Sequence, residues 1–214
     1  MRKTLILLSL FIASSLMAQN TNSSTDLLKQ GFSKRKAKKE QKEKKDKELY
    51  WLGKVPVKDG KVVFEKIYNL SGKNQEQIYD NMYSFISRLI EDSKHSEVSH
   101  VALEDKTQGN IMASIGETMY FKRGKWESDF TNFYYQINVE CTNEKCTVTI
   151  KDIQYRYEEQ HEVKGEYLKA EEWITDNAAF NKDKTKILKE PFKFRRETIQ
   201  RINAIFDAIE KTLQ

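Results

Sequence analysis

The sequence predicts an α+β domain: a twisted antiparallel sheet, with one helix after the first strands and a C-terminal helix packed on the same face. Three observations carry this. Segments that alternate apolar and polar residues dominate from residue 49 onward. Two stretches instead repeat apolar residues every three or four positions, the spacing of an amphipathic helix. Aromatic residues are 11% of the 214, enough for a packed core despite 32% charged residues and a mean hydropathy of -0.74. That aromatic content excludes a fully disordered chain. With 8 Gly and 2 Pro, collagen-like or linker composition is also excluded. No stretch reaches the ~20 apolar residues a membrane-spanning helix needs.

The N-terminus reads as an export signal. Arg2 and Lys3 precede a short apolar run, Leu5 to Ala13, and Leu16-Met17-Ala18 ends in a small residue suited to cleavage. Residues 1–18 are therefore expected to be a signal peptide; the alternative is a buried N-terminal helix. Gln19 rather than Cys follows the cut, which argues against a lipid anchor. The mature chain is expected outside the cytoplasm, in the periplasm, at the outer membrane or in the medium.

Residues 19–48 form a basic linker, disordered or a frayed helix. Within it, residues 34–48 hold nine bases against four acids, a net charge of +5. The whole chain is also +5, and residues 49–214 hold 25 bases against 27 acids. The basic character thus belongs to the signal and the linker. A Lys-rich run with interspersed acids reads first as a solvated helix or linker. It also suits an electrostatic tether to an anionic surface, led by Lys34, Arg35, Lys36, Lys38 and Lys39. Nucleic-acid binding needs basic charge on the folded module, and residues 49–214 offer none by net charge.

One domain is expected from residue 49 to 214. Val55 to Phe64 reads as strand, turn and strand, with Asp59-Gly60 as the hairpin signal. Asn74, with Gln77 three positions later, resembles a capping pair. Ile78, Met82, Phe85, Ile86 and Leu89 then form the stripe of a helix over about 75–92. Strands follow at Val98–Asp105 and Ile111–Phe121, with Gln108-Gly109-Asn110 as the turn. From Trp126 to Cys141 the chain alternates, with Phe133, Tyr135, Ile137, Val139 and Cys141 on one face. The return strand presents Cys146, Val148 and Ile150 on that same face if the cysteines are cross-strand neighbours. Residues 158–190 are ambiguous, with a short helix around Ala170–Asn177. Pro191 precedes a last helix striped by Ile199, Ile202, Ile205, Phe206, Ile209 and Leu213.

Val55 to Lys66, the helix opening Ile78-Tyr79-Asp80, and Ala170-Glu171-Glu172-Trp173-Ile174-Thr175-Asp176 together resemble a known family. It is the exported domain of unknown function with a TATA-binding-protein-like fold found in Bacteroidetes. The resemblance runs from about Leu49 to the C-terminus. It implies a fold and an envelope address, and carries over no functional residue. The basic run and the cysteine pair depart from the common pattern, and the fold name implies nothing about DNA.

Few constellations carry chemistry. An exported chain with two cysteines at paired hairpin positions is expected to bridge Cys141 to Cys146. So small a ring is worth about 2 kcal/mol and serves to pin the hairpin. A redox pair would have two intervening residues rather than four. His95, His100 and His161 lack the spacing of a metal site, and no metal or other cofactor is expected. The carboxylate pairs Glu91/Asp92, Glu104/Asp105 and Glu171/Glu172 are adjacent and diverge. With no nucleophile elbow or phosphate loop, no enzyme is expected. One binding surface is expected instead. With unbroken pleating, Phe130, Tyr134, Ile153, Tyr155 and Tyr157 point away from the core and form an aromatic patch on the open sheet face. A bulge near Lys151–Ile153 would bury the last three, and a loop from 158–190 would cover them all.

The resulting expectation is a non-enzymatic envelope module that binds a protein partner or ligand. The alternatives are a hydrolase of envelope material, which needs converging carboxylates, and a nucleic-acid binder, which needs a basic sheet face.

Overall fold

The computed structural model describes residues 30–41, 44–46, 48–93, 98–124, 128–157 and 166–214. The expected signal peptide lies outside the described residues. The chain divides into two units between Leu49 and Tyr50. In the first, residues 30–41 and 44–46 are helical and almost wholly exposed. Lys36 and Glu40, one turn apart, approach to 4.0 Å.

The second unit begins with a two-residue hairpin. β1 (Val57–Lys58) and β2 (Lys61–Val62) pair across Asp59 and Gly60. Both turn residues have positive φ, 50° and 75°, the conformation that Asp-Gly favours. β3 (Phe64–Asn69) leads into α1 (Gln75–Glu91). The Asn74 side chain accepts from the Gln77 backbone N–H at 2.9 Å, and the Gln77 side chain accepts from Asn74 N–H at 3.1 Å, a closed capping box.

Four more strands form the body: β4 (His100–Asp105), β5 (Asn110–Lys122), β6 (Asp129–Thr142) and β7 (Lys145–Tyr157). A short β8 (Glu166–Lys169) pairs with the far half of β7. The six-stranded sheet runs β3-β7-β6-β5-β4, entirely antiparallel. Two one-turn helices follow, α2 (Ala170–Trp173) and α3 (Asp176–Ala179), where the sequence suggests one. The last element is α4 (Lys189–Leu213). It starts two residues before Pro191, so the proline sits in the first turn, where a missing N–H costs nothing.

The expected stripes meet in one core. Ile78, Met82 and Ile86 of α1 and Ile199, Ile202, Ile205 and Ile209 of α4 are buried with Ile115, Phe133, Ile137, Val148 and Ile150 of the sheet. The antiparallel sheet with helices on it establishes the α+β class. Gly109, at φ 73°, lets the β4–β5 turn press against β6; a Cβ there would sit 2.1 Å from the Cys141 carbonyl oxygen.

One buried charge ties the domain together. Arg195 of α4 has no solvent exposure. It donates to the carbonyls of Tyr50 at 2.7 Å and Ile174 at 2.6 Å, to that of Trp51, and to Asp176 Oδ1 at 2.8 Å. Burial pulls its pKa down, and Asp176 works against that shift. Asp176 also accepts from Gly53 N–H at 2.7 Å. The segment leading into β1 and the α2–α3 corner are thereby fastened to the same helix.

Candidate functional site

Alternation along β5, β6 and β7 buries every second residue beneath the helices and leaves its neighbours half-exposed on the opposite face. That open face is largely polar: Ser114 and Thr118 of β5, Asn132, Gln136 and Asn138 of β6, Thr147, Thr149 and Gln154 of β7. Lys145, Lys151, Lys169 and Arg156 share it with Glu65, Glu140 and Asp152, so its charge is mixed.

A bulge decides what the far half of β7 presents. Gln136 pairs with Lys151 but Tyr134 pairs with Gln154, so one extra residue enters β7 there. Asp152 absorbs it at φ 52°. The expected patch is corrected accordingly. Ile153 and Tyr155 are fully buried on the helix face. Tyr155 packs edge-on to Phe194 at 5.0 Å and bonds Thr198 Oγ1 at 2.7 Å; burial pushes its pKa up. Tyr157 is half-buried on the same side, its hydroxyl donating to Asp129 at 3.0 Å. Lys193 closes that corner, bonding Tyr157 Oη at 2.9 Å and Asp129 at 3.1 Å. Burial acts to lower the Lys193 pKa, but its bonds to Tyr157, Glu190 and Asp129 outweigh that and raise it.

Two members of the patch do face outward. Phe130 is 41% exposed and tilts against Tyr120 at 5.7 Å, with the Arg123 guanidinium 4.3 Å from the Tyr120 ring centre. Tyr134 lies 6.5 Å from Tyr167 of β8, which is 62% exposed and has the Arg156 guanidinium 5.7 Å from its centre. The bulge therefore replaces three apolar side chains by Gln154 and Arg156, and β8 adds an aromatic that the ambiguous segment concealed. The signal was there in Glu166-Tyr167-Leu168-Lys169, a brief alternation with Leu168 packed toward the core.

Tyr134, Gln154, Arg156 and Tyr167, but not Phe130, line a shallow groove of about 440 Å³, with Val98, Ser114, Gln136 and Asp152 around it. The volume is within the range of small-ligand sites. Its floor is β6, paired with β5 and β7, and β7, which pairs outward with β3 up to Ile150 and with β8 from Gln154; among the described residues Lys151 to Ile153 have no strand partner on that side. Asn138, one strand period beyond Gln136 on the same face, has a buried Oδ1 with no hydrogen-bond partner among the described residues.

The other expected sites have different fates. Cys141 and Cys146 stand directly opposite one another, as the register predicts, with both thiols buried and unbridged in this structure. Strand pairing alone brings them together, and the covalent bond requires an oxidant that the fold does not supply. Their mutual hydrogen bond lowers the pKa of Cys141 and, with burial, raises that of Cys146. Lys34, Arg35, Lys36, Lys38 and Lys39 are exposed along the basic helix. Of the carboxylate pairs, Glu171 is engaged structurally, accepting from Val62 N–H at 3.0 Å. His100 is exposed on β4; His95 and His161 lie outside the described residues. Among the described residues, no cluster of His, Cys, Asp and Glu is arranged to hold a metal ion.

The fold can be placed among known proteins. A family profile described as a domain of unknown function (DUF4468) with TBP-like fold matches residues 64–156. The crystal structure of a DUF4468 family protein from Bacteroides ovatus is 34% identical, with a TM-score of 0.72 over 78% of this chain and 95% of that one. The chain belongs to this family. A TBP-like protein from Parabacteroides distasonis, 22% identical, shares the DUF4468 fold with a TM-score of 0.63 over 75% of this chain and 97% of its own. No curated protein matches the chain. The DUF4468 profile ends at the residue that begins to line the groove from β7's far end, Arg156, and so leaves out Tyr167.

Proposed function

We propose that this domain is a non-enzymatic binding module of the cell envelope that takes its ligand on the open face of the sheet. The observation that carries the reading is the groove in which Tyr134, Tyr167, Arg156, Gln136 and Gln154 converge. Ring faces beside amides and one guanidinium are recognition chemistry, apolar area combined with directed donors and acceptors. Among the described residues lining the groove, Asp152 is the one carboxylate, which gives no support to a two-carboxylate hydrolase. Residues 34–48 act as an electrostatic tether that keeps the module beside an anionic surface. This rests on the exposed Lys and Arg side chains of the basic helix.

The test is nuclear magnetic resonance of the isotope-labelled protein titrated with separate protein, lipid and glycan fractions of a native envelope. At least one fraction is expected to shift Gln136, Gln154 and Tyr167 together, and Tyr167→Ala to abolish the response. Shifts confined to the helix-covered side, or no shifts with any fraction, would overturn the reading.

A further inference from the structure

Beyond that reading of the open face, we propose that the chain forms a two-fold dimer by pairing its β3 edge with β3 of a second copy. β3 closes one side of the sheet, and β7 is its one strand partner among the described residues. The edge is regular, since Phe64 to Asn69 pair with Ile150 to Lys145 without a shift of register. Two flanking hydrogen bonds fix which backbone groups face outward. Leu70 N–H turns inward, to the Glu144 carbonyl of the β6–β7 turn at 2.7 Å, whereas Val63 N–H turns outward to the Pro56 carbonyl at 3.2 Å. Alternation between these two ends points the N–H and C=O of Glu65, Ile67 and Asn69 away from β7. Among the described residues these groups have no hydrogen-bond partner.

The opposite edge of the sheet is defended where this one is not. β4 bulges at Ala102 and ends in Glu104 and Asp105, devices that discourage an added strand. β3 has neither bulge nor proline, and Ile67 in its middle is 52% exposed on the open face. An edge lysine often serves as protection. Lys66 is turned to the helix side instead, where Glu210 holds it at 2.7 Å.

A second copy suits this edge because the edge is complementary to itself. Antiparallel pairing about an axis at Ile67 is the register that engages all three outward residues. Ile67 then meets its counterpart, and Glu65 meets Asn69 in both directions. Each opposed pair exchanges two backbone hydrogen bonds, about six in all. The side chains match as well: two exposed isoleucines pack together, a carboxylate faces an amide, Lys66 faces Tyr68, and no like charges stand opposite. Another peptide could take the backbone bonds but would lack this match. The sheet continues through the axis, so both open faces look the same way.

Sedimentation velocity of the full chain tests this up to about 0.5 mM, a range in which even a small interface is populated. A reversible monomer–dimer equilibrium is expected. Hydrogen exchange of the labelled chain locates the contact. The amides of Glu65, Ile67 and Asn69 should exchange about threefold or more slowly in the concentrated sample than in the dilute one, and those of β4 equally in both. Ile67→Lys sets like charges against each other at the axis and should weaken association about tenfold or more. Asn69→Lys sets a cation opposite Glu65 of the second copy and should strengthen it about threefold. Both positions are exposed, and an unchanged amide spectrum away from β3 confirms folding. A monomer at every concentration overturns the proposal. Association that survives Ile67→Lys, or that protects β4 instead of β3, also overturns it by assigning the contact to another surface. A dimer that Asn69→Lys fails to strengthen overturns the register.

Discussion

The two faces of this sheet are built from neighbouring residues of the same strands and do opposite things. On the covered face Phe133, Tyr135 and Tyr155 are packed out of solvent under α4. Their rings meet each other and Phe194 at 5.0 to 5.7 Å. On the open face Tyr134 and Arg156, one residue away, border a groove. Burial on the first side makes each polar atom costly unless paired, as the Tyr155–Thr198 bond illustrates. On the second side most side chains keep some contact with solvent, which eases that penalty and tolerates amides and an arginine. One face is held by packing and the other stays open to solvent.

The comparison is sharpened first where it predicts the largest effect. Arg195→Met should destabilise the domain by about 3–5 kcal/mol in denaturant unfolding, because Asp176 and the Tyr50, Trp51 and Ile174 carbonyls lose their shared donor. A loss below about 1 kcal/mol would mean that packing alone holds that corner.

The thiol pair comes next. Oxidation should join Cys141 to Cys146 without disturbing the register, adding about 2 kcal/mol that a reductant removes. Thiol titration of the unfolded, unreduced protein taken from its native compartment reads this directly; two titratable thiols would show that the bridge is not used. Gly109→Ala should then cost more than about 1 kcal/mol, since alanine at a φ of 73° is strained and its Cβ meets the Cys141 carbonyl. Thermal unfolding checks it.

Smallest in stability is Tyr167→Ala, expected to stay within about 0.5 kcal/mol of the parent because the ring is largely exposed. The same substitution is expected to abolish open-face binding. If it unfolds the domain instead, the division of labour between the faces breaks down. For the basic helix, exchanging Lys34, Arg35, Lys36, Lys38 and Lys39 for Gln should leave stability unchanged. Sedimentation with anionic phospholipid vesicles should show the parent bound and released by salt, and the variant unbound. Equal binding of both chains would remove the tether.

Much of the fold was legible. The Asp59-Gly60 hairpin, the Asn74/Gln77 cap and the two helical stripes depend on interactions within a few residues, so local sequence encodes them directly. The family is the one that the resemblance named, and of the residues that carry it Phe64 to Lys66 and Ile78 to Asp80 fall within the matched residues 64–156. The site was half legible. Phe130 and Tyr134 face outward as alternation requires, whereas Ile153 and Tyr155 do not.

Sequence by itself thus determined the α+β class, the order of the long strands and which helix faces are apolar, because periodicity is a local property of the chain. The tertiary structure alone decided which side of the sheet the end of β7 shows to solvent. A pattern of period two reads the same on either side of an inserted residue, and only the partner strand reveals that Asp152 has no opposite number. It also decided that Tyr167, thirty-three residues from Tyr134, stands beside it, since β8 gains a place in the sheet only by pairing with β7.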